Sequence, residues 1–321
     1  MRTVKLLAAI TILLALAVLS AHAAQPVYPE KPIRLVIGSA PGSGPDIISR
    51  VLAERLYGAW GQRVVVDSRP GAAGIISADL VLRAAPDGYT WMMLTSQLLV
   101  ATEVLPNVKF NLEKDFASIS LIGTVPYVLV VNPEIPATSI RELIELAKKT
   151  PLRYGSTGTG ASEHLSGALF TRMTSTDILH VPYKGIAEAL TATMGKEVHL
   201  TYGVLPAVLA MVQAGKVRAL GVTSPKRSAL LPDVPSISEA VPGYQTLGWY
   251  SVVAPTGTPE AILSKASAEV AKAVKEPQFG EQLIALGLNL VGSSRAELDA
   301  FRQAQRKQIS EVVKASGVDV K

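Results

Sequence analysis

The 321 residues contain no cysteine. Disulfides, thiolate zinc sites, iron–sulfur centres and a cysteine nucleophile are therefore excluded, and the fold must be held by its core. Aromatic residues are sparse at 5%, whereas 48% of the chain is hydrophobic, a composition that suits α/β architecture with near-continuous buried strands. Charge of either sign is modest. Lys and Arg number 31 against 26 Asp and Glu, a net +5 with no clustered basic stripe, which argues against a nucleic-acid partner. Apolar runs long enough to cross a bilayer are also missing: Leu6–Leu19 is short for a span, and no second span follows it. With Arg2 and Lys5 before it and Ala21-His22-Ala23 after it, this run predicts an export leader over residues 1–23, cleaved near Ala23. A membrane anchor is the alternative. Loss of residues 1–23 removes two positive charges and no acid, leaving +3.

Catalytic signatures are absent too. There is no G-x-S-x-G nucleophile elbow and no H-E-x-x-H. Beyond residue 23 only His164, His180 and His199 remain, none at metal-ligand spacing from another, so each reads as structural. No metal and no cofactor are expected. Asp46 stands in a first helical turn, where its simplest work is to neutralise nearby N–H groups.

What the chain does have is alternation. Ile33–Ile37, Arg63–Val66 and Tyr89–Leu94 read as strands, each followed by a helical pattern, as in parallel sheets covered by helices. Ser118–Val131 is a long apolar run broken by Pro126, and Tyr244–Ala254 reads as a return crossing. Between them lies a second strand–helix series, and helices dominate after residue 258. The pattern predicts a discontinuous first lobe (24–122 and 250–321) and a second lobe (123–249), hinged at two crossings around a cleft.

The segment "GSAPGSGPDI" (38–47) joins a strand to a helix through a Gly-rich loop. It fails as a dinucleotide fingerprint because Ile47 occupies the third glycine position. It fails as a phosphate loop because no lysine lies between Lys31 and Lys109. General physics remains: glycines admit close approach, Pro45 fits a first helical turn, and the helix N-terminus favours an anion. An ordinary turn would look the same. However, "YGSTGTGASEHL" (154–165) repeats the arrangement in the second lobe, with hydroxyls on Ser156, Thr157, Thr159 and Ser162. Two helix N-termini across one cleft would clamp an anion.

Several strings then converge. "YPEKPIRLVI", "SRPGAAG", "AAPDGYTW", "DFASISLIG", "HVPYKG", "QAGKVRALGVTSPKRSALLPDVPSISEA" and "WYSVVAPTGTPEAI" occur in order. With them the chain resembles the periplasmic solute-binding receptors of tripartite tricarboxylate transporters, the Bug-type receptors. The resemblance implies a two-lobed α/β periplasmic binding protein of the type II, Venus-flytrap kind. It also implies a monomer that captures a small carboxylate and delivers it to membrane permease subunits. Candidate ligand contacts carried over by motif are Ser39, Ala40, Gly42, Ser43 and Gly44, then Ser156, Thr157, Gly158, Thr159 and Ser162. Tyr183, Tyr202 and Trp249 are candidates for cleft or hinge contacts. Rival readings are a receptor feeding a signalling partner and an exported enzyme. The family's opening loop commonly begins proline–aromatic, where this chain has Gly38-Ser39, and Ser43 replaces a glycine. That change predicts a roomier pocket, unless neighbours fill it. No carboxylate stands at Thr201-Tyr202-Gly203 to meet an amine, so the expected ligand is an amine-free acid, a dicarboxylate of aliphatic or aromatic kind.

Overall fold

Apolar runs too short for helices, each followed by an amphipathic stretch, set the chain order of the elements. The computed structural model describes residues 28–105 and 108–316; the expected leader lies outside them. In the first half, β1 (Ile33–Ile37), α1 (Gly44–Trp60), β2 (Val64–Ser68), α2 (Ile75–Leu82), β3 (Thr90–Thr95) and α3 (Ser96–Val104) wind so that β1 pairs in parallel with both β2 and β3. α1 buries Ile48, Leu52 and Leu56 almost completely, each contributing roughly 1.5–3 kcal/mol relative to exposure. It ends where Gly61, at φ 66°, donates to the Tyr57 carbonyl, a left-handed cap that glycine adopts without strain.

After the short α4 (Leu112–Asp115), β4 (Phe116–Val131) runs unbroken for 16 residues. The second half follows as α5 (Ile140–Ala147), β5 (Leu152–Ser156), α6 (Ser162–Thr174), β6 (Ile178–Pro182), α7 (Ile186–Met194), β7 (Leu200–Val204), α8 (Leu205–Gln213) and β8 (Arg218–Val222). Here β5 pairs in parallel with β6 and β7. The chain returns through β9 (Leu247–Pro255) and closes with α9 (Glu260–Lys275), α10 (Pro277–Ala285), β10 (Asn289–Leu290) and α11 (Arg295–Ser316).

The expected parallel sheets are present but joined by antiparallel strands. β4 and β9 lie side by side, and β9 also pairs with β3. β4 changes partners within its length: Phe116–Pro126 pair with β9, while Tyr127–Val131 pair with β7 and β8. Pro126, expected to break this run, sits at the changeover instead, opposite Leu247. Two cores result. One gathers Met92, Leu94, Phe116 and Trp249, the other Tyr154, Phe170, Tyr202 and Tyr244. Val312 of α11 packs against both, so the last helix braces the two halves.

Arg302 fixes that brace. It is 3% exposed, and Nη1 donates to the Phe116 carbonyl (3.2 Å) and to Ser118 Oγ (2.9 Å) at the start of β4. Arg302→Ala would leave buried acceptors without a donor. The expected loss is about 1–3 kcal/mol in a urea denaturation at neutral pH; an unchanged midpoint would show that these bonds are replaced by water.

Candidate ligand-binding cleft

Parallel strands carry their helices' N-termini at one edge, and crevices at the carboxyl ends of such strands are where ligands bind. In this chain the junctions β1–α1, β3–α3, β5–α6, β6–α7 and β7–α8 all reach one cleft of about 620 Å³. Ser39, Ala40, Gly42, Ser43 and Gly44 line it from the first half, and Thr157 and Ser162 from the second.

The first loop is a tight turn. Ser43 N–H and Oγ both donate to the Ala40 carbonyl (3.2 and 2.6 Å), and Gly42 adopts φ 79°. Asp46, 3% exposed, accepts from Gly42 N–H (2.9 Å) and pairs with Arg50 (3.0 Å). The Arg50 hydrogen bond in particular holds its carboxyl below the usual range. Asp46 thus serves the loop, as expected. The expected extra room exists only in part. A Cβ on Gly38 would lie 2.6 Å from Gly74 Cα, so the backbone of the "SRPGAAG" turn already fills that space, while Ser39 does face the cleft. In that turn Gly71, Ala72, Ala73 and Gly74 all have positive φ, and Gly71 and Ala73 line the cleft. Two alanines in the left-handed region are strained backbone at the site.

The second loop is pinned by histidines. His164 Nδ1 accepts from Gly160 N–H (3.0 Å), and His180 Nε2 lies 2.6 Å from Ser156 Oγ, with the two rings stacked 3.9 Å apart. His199 Nδ1 accepts from Arg153 N–H at the far end of the same strand (3.0 Å). Burial lowers the pKa of all three, and His180, which also feels His164, falls to about 4. The structural reading of the histidines therefore has a physical content: each is a neutral ring, and two of them accept main-chain N–H bonds.

Several sequence candidates lie away from the cleft wall. Ser156 is fully buried, and its hydroxyl exchanges bonds with Gly158 N–H and carbonyl (3.1 Å each) as well as His180. A serine beside a histidine is nucleophile–base geometry, but this one faces the interior. Gly158 and Thr159 do not line the cleft, and Thr159 points to solvent. Tyr183 is half-buried with its N–H on the Ser156 carbonyl (3.0 Å), and its ring packs beside Gly155. Tyr202 and Trp249, expected as flat cleft surface, are 0% and 1% exposed. Tyr202 stands edge-on to Tyr154 and Trp249 edge-on to Phe301, each inside its own core.

Other residues take those places. Tyr127 and Tyr250 line the cleft from the two crossing strands. A Cβ on Gly44 would meet the Tyr250 hydroxyl at 3.2 Å, and one on Gly248 the Tyr127 hydroxyl at 3.1 Å. Thr95, Ser96 and Gln97 come from the β3–α3 junction, which lacks the glycines that flagged the other two loops. An acid is present after all: Glu163 lines the cleft and accepts from Thr157 Oγ1 (2.8 Å). Ser162 Oγ is buried near the Tyr127 hydroxyl but makes no hydrogen bond of acceptable geometry. Among the described residues no group of three or more His, Asp or Glu could hold a metal ion.

With this geometry in hand, comparison with known proteins decides the family. The tripartite tricarboxylate transporter family receptor model matches residues 48–318. The chain belongs to that family. BugT of Bordetella pertussis is 32% identical over the whole length of both chains. Among solved structures, R. palustris Rpa4515 with adipate superposes with a TM-score of 0.84 at 34% identity, covering 90% of this chain and 98% of that one. MatC from Rhodopseudomonas palustris with bound malate gives 0.79 at 26% identity, over 89% and 100%. The chain is therefore a solute receptor of the two-lobed periplasmic binding-protein fold and not an enzyme. No helix among the described residues is long and apolar enough to cross a membrane.

The histidine contacts give a pH dependence. His180 titrates near 4 when folded and near 6.5 when unfolded, so the unfolded chain binds more protons between these values. Its contribution to stability is whole above pH 6.5 and is lost as pH falls toward 4. His180→Gln should flatten the urea midpoint over that window; a parent-like slope would place the titration elsewhere. Ser156→Ala should cost about 1–2 kcal/mol, since Gly158 N–H loses its acceptor, as read by the same denaturation.

Proposed function

We propose that the receptor captures a small organic carboxylate between its halves and delivers it to the membrane permease subunits of a tripartite tricarboxylate transporter. The observation that carries this reading is the convergence of α1 and α6 N-termini on one cleft, with the Ser162 hydroxyl buried there and unpaired. Helix N-termini favour anions, and a buried hydroxyl without a partner is costly until a ligand supplies one.

The lobes are taken as 24–122 with 250–321, and 123–249, joined at β4 and β9; the change of partners after Pro126 supports this division. Closure about these crossings brings the two loops onto one ligand. An amine-free dicarboxylate is the preferred ligand, because the related Rpa4515 and MatC hold adipate and malate. An aromatic acid would find its flat surface on Tyr127 and Tyr250. Action in the periplasm as a monomer, after loss of residues 1–23, completes the reading.

Calorimetric titration with adipate, malate, terephthalate and aspartate, followed by analysis of the recovered ligand, tests the proposal. Stoichiometric binding of an unaltered carboxylate is expected. Binding of none of them would overturn it. Ser162→Ala should weaken the best ligand about ten- to a hundredfold, the value of one hydrogen bond to a charged group. Deletion of the permease genes should abolish uptake of that ligand; undiminished uptake would favour a signalling role.

A further inference from the structure

Glu163 is the acid that the hydroxyl pattern of "GASEHL" conceals. It sits in the first turn of α6, on the cleft wall, with Thr157 Oγ1 donating to it at 2.8 Å. The Tyr127 ring of β4 and the Tyr250 ring of β9 stand close enough for its charge to raise both phenol pKa values. Among the described residues no cation forms an ion pair with it. Among the described residues, Lys184 in the β6–α7 turn is the basic side chain on the same wall. Asp46 and Arg50 pair with each other outside it, and His164, the next residue, turns to Gly160 and the His180 ring. The cleft wall that carries Glu163 combines hydroxyls, among them Ser96, Ser162 and the Tyr127 phenol, with apolar side chains such as Val125, Val204, Leu286 and Leu288.

This arrangement conflicts with simple capture of a dianion. Wherever Glu163 is ionised, a carboxylate ligand entering beside it meets like charge where water is being excluded. Neither side can hold both charges; one must gain a proton or the ligand must bring a donor.

We propose that Glu163 determines specificity by pairing with the distal carboxyl of a dicarboxylate through one shared proton. Capture then combines the ligand dianion, the Glu163 carboxylate and one proton from solvent, with no covalent bond made or broken. The donors of α1 hold the proximal carboxylate, and the shared proton turns repulsion at the distal end into a short charge-assisted hydrogen bond. Burial, which raises the Glu163 pKa, acts in the same direction. The inference rests on the carboxylate reading above and adds a requirement that this reading does not contain.

Adipate is the probe, titrated by calorimetry in buffers of different ionisation heat from pH 6 to 9, where the free acid is a dianion. Proton uptake should rise toward one per adipate as pH increases. Affinity should fall by about tenfold per pH unit above the pH at which free Glu163 ionises. Glu163→Gln, a neutral donor of the same shape, should bind adipate without proton uptake and with flat pH dependence. Uptake-free, pH-independent binding by the parent would overturn the proposal, as would the same slope in Glu163→Gln. A preference for aspartate that is lost in Glu163→Gln would make Glu163 an ammonium acceptor and also overturn it. Failure of both proteins to bind any dicarboxylate at any pH would sink the carboxylate reading itself.

Discussion

The cleft depends on one constraint: β4 is a single hydrogen-bonded strand that belongs to both halves. Its first eleven residues pair with β9 and its last five with β7 and β8. Each half presents its own parallel strands beside this shared one, so their carboxyl ends, and the helices that start there, face each other across the changeover. Tyr127 follows Pro126 at that point and lines the cleft, and Tyr250 does so from the paired strand. The strands shared by the two halves are thus part of the cleft wall. On the proposed reading, movement of one half about β4 and β9 alters the site, which is what a receptor that reports occupancy by its shape requires.

Donors aimed at an anion must be held in place before it arrives, because ordering them afterwards consumes binding free energy. In the first half the work falls to Asp46 and to the Gly38–Gly74 contact, and in the second to neutral imidazoles. A protonated ring could not accept from Gly160 N–H or Arg153 N–H, so burial that keeps His164 and His199 neutral also fixes the strand ends that carry the loop. The same logic separates this protein from a hydrolase. Ser156 and His180 have the spacing of a nucleophile and its base, yet Ser156 has no exposure and its hydroxyl is committed to Gly158. Chemistry needs a reachable oxygen; loop construction needs a buried one.

The strands and helices were legible because their periodicities are local. Ile33–Ile37 forms with the bounds the apolar pattern assigns, and β3 (Thr90–Thr95) is displaced by one residue from the expected Tyr89–Leu94. The first-half loop was legible for the same reason, since glycine, Pro45 and the following helix are contiguous. What could not be read were facts about partners distant in sequence. Gly38 looks like open space until Gly74 is found against it. Tyr202 and Trp249 look like binding surface because strand position does not say which face meets the core. Thr95-Ser96-Gln97 carries no glycine, so nothing in the string marks it as a third helix start on the cleft.

Glu163 shows why counting charges along a string misleads at a cleft. The absence of an acid at Thr201–Gly203 was informative about that strand end and silent about α6, which approaches from another junction. The same residue also takes a donor away: the Thr157 hydroxyl, one of those expected to face a ligand, is already bonded to it. Ser156 is bonded inward and Thr159 faces solvent, which leaves Ser162 as the second-half hydroxyl on the cleft without a partner. A site that spends one of its own donors on an internal carboxylate is not maximising affinity for anions in general. It discriminates among them by what lies at the far end of the ligand, since only a group able to share or supply a proton there removes the repulsion. On the proposed reading, selectivity in this cleft is carried by an acid and affinity by helix N-termini, and "STGTGASE" holds both that acid and one of those helix starts.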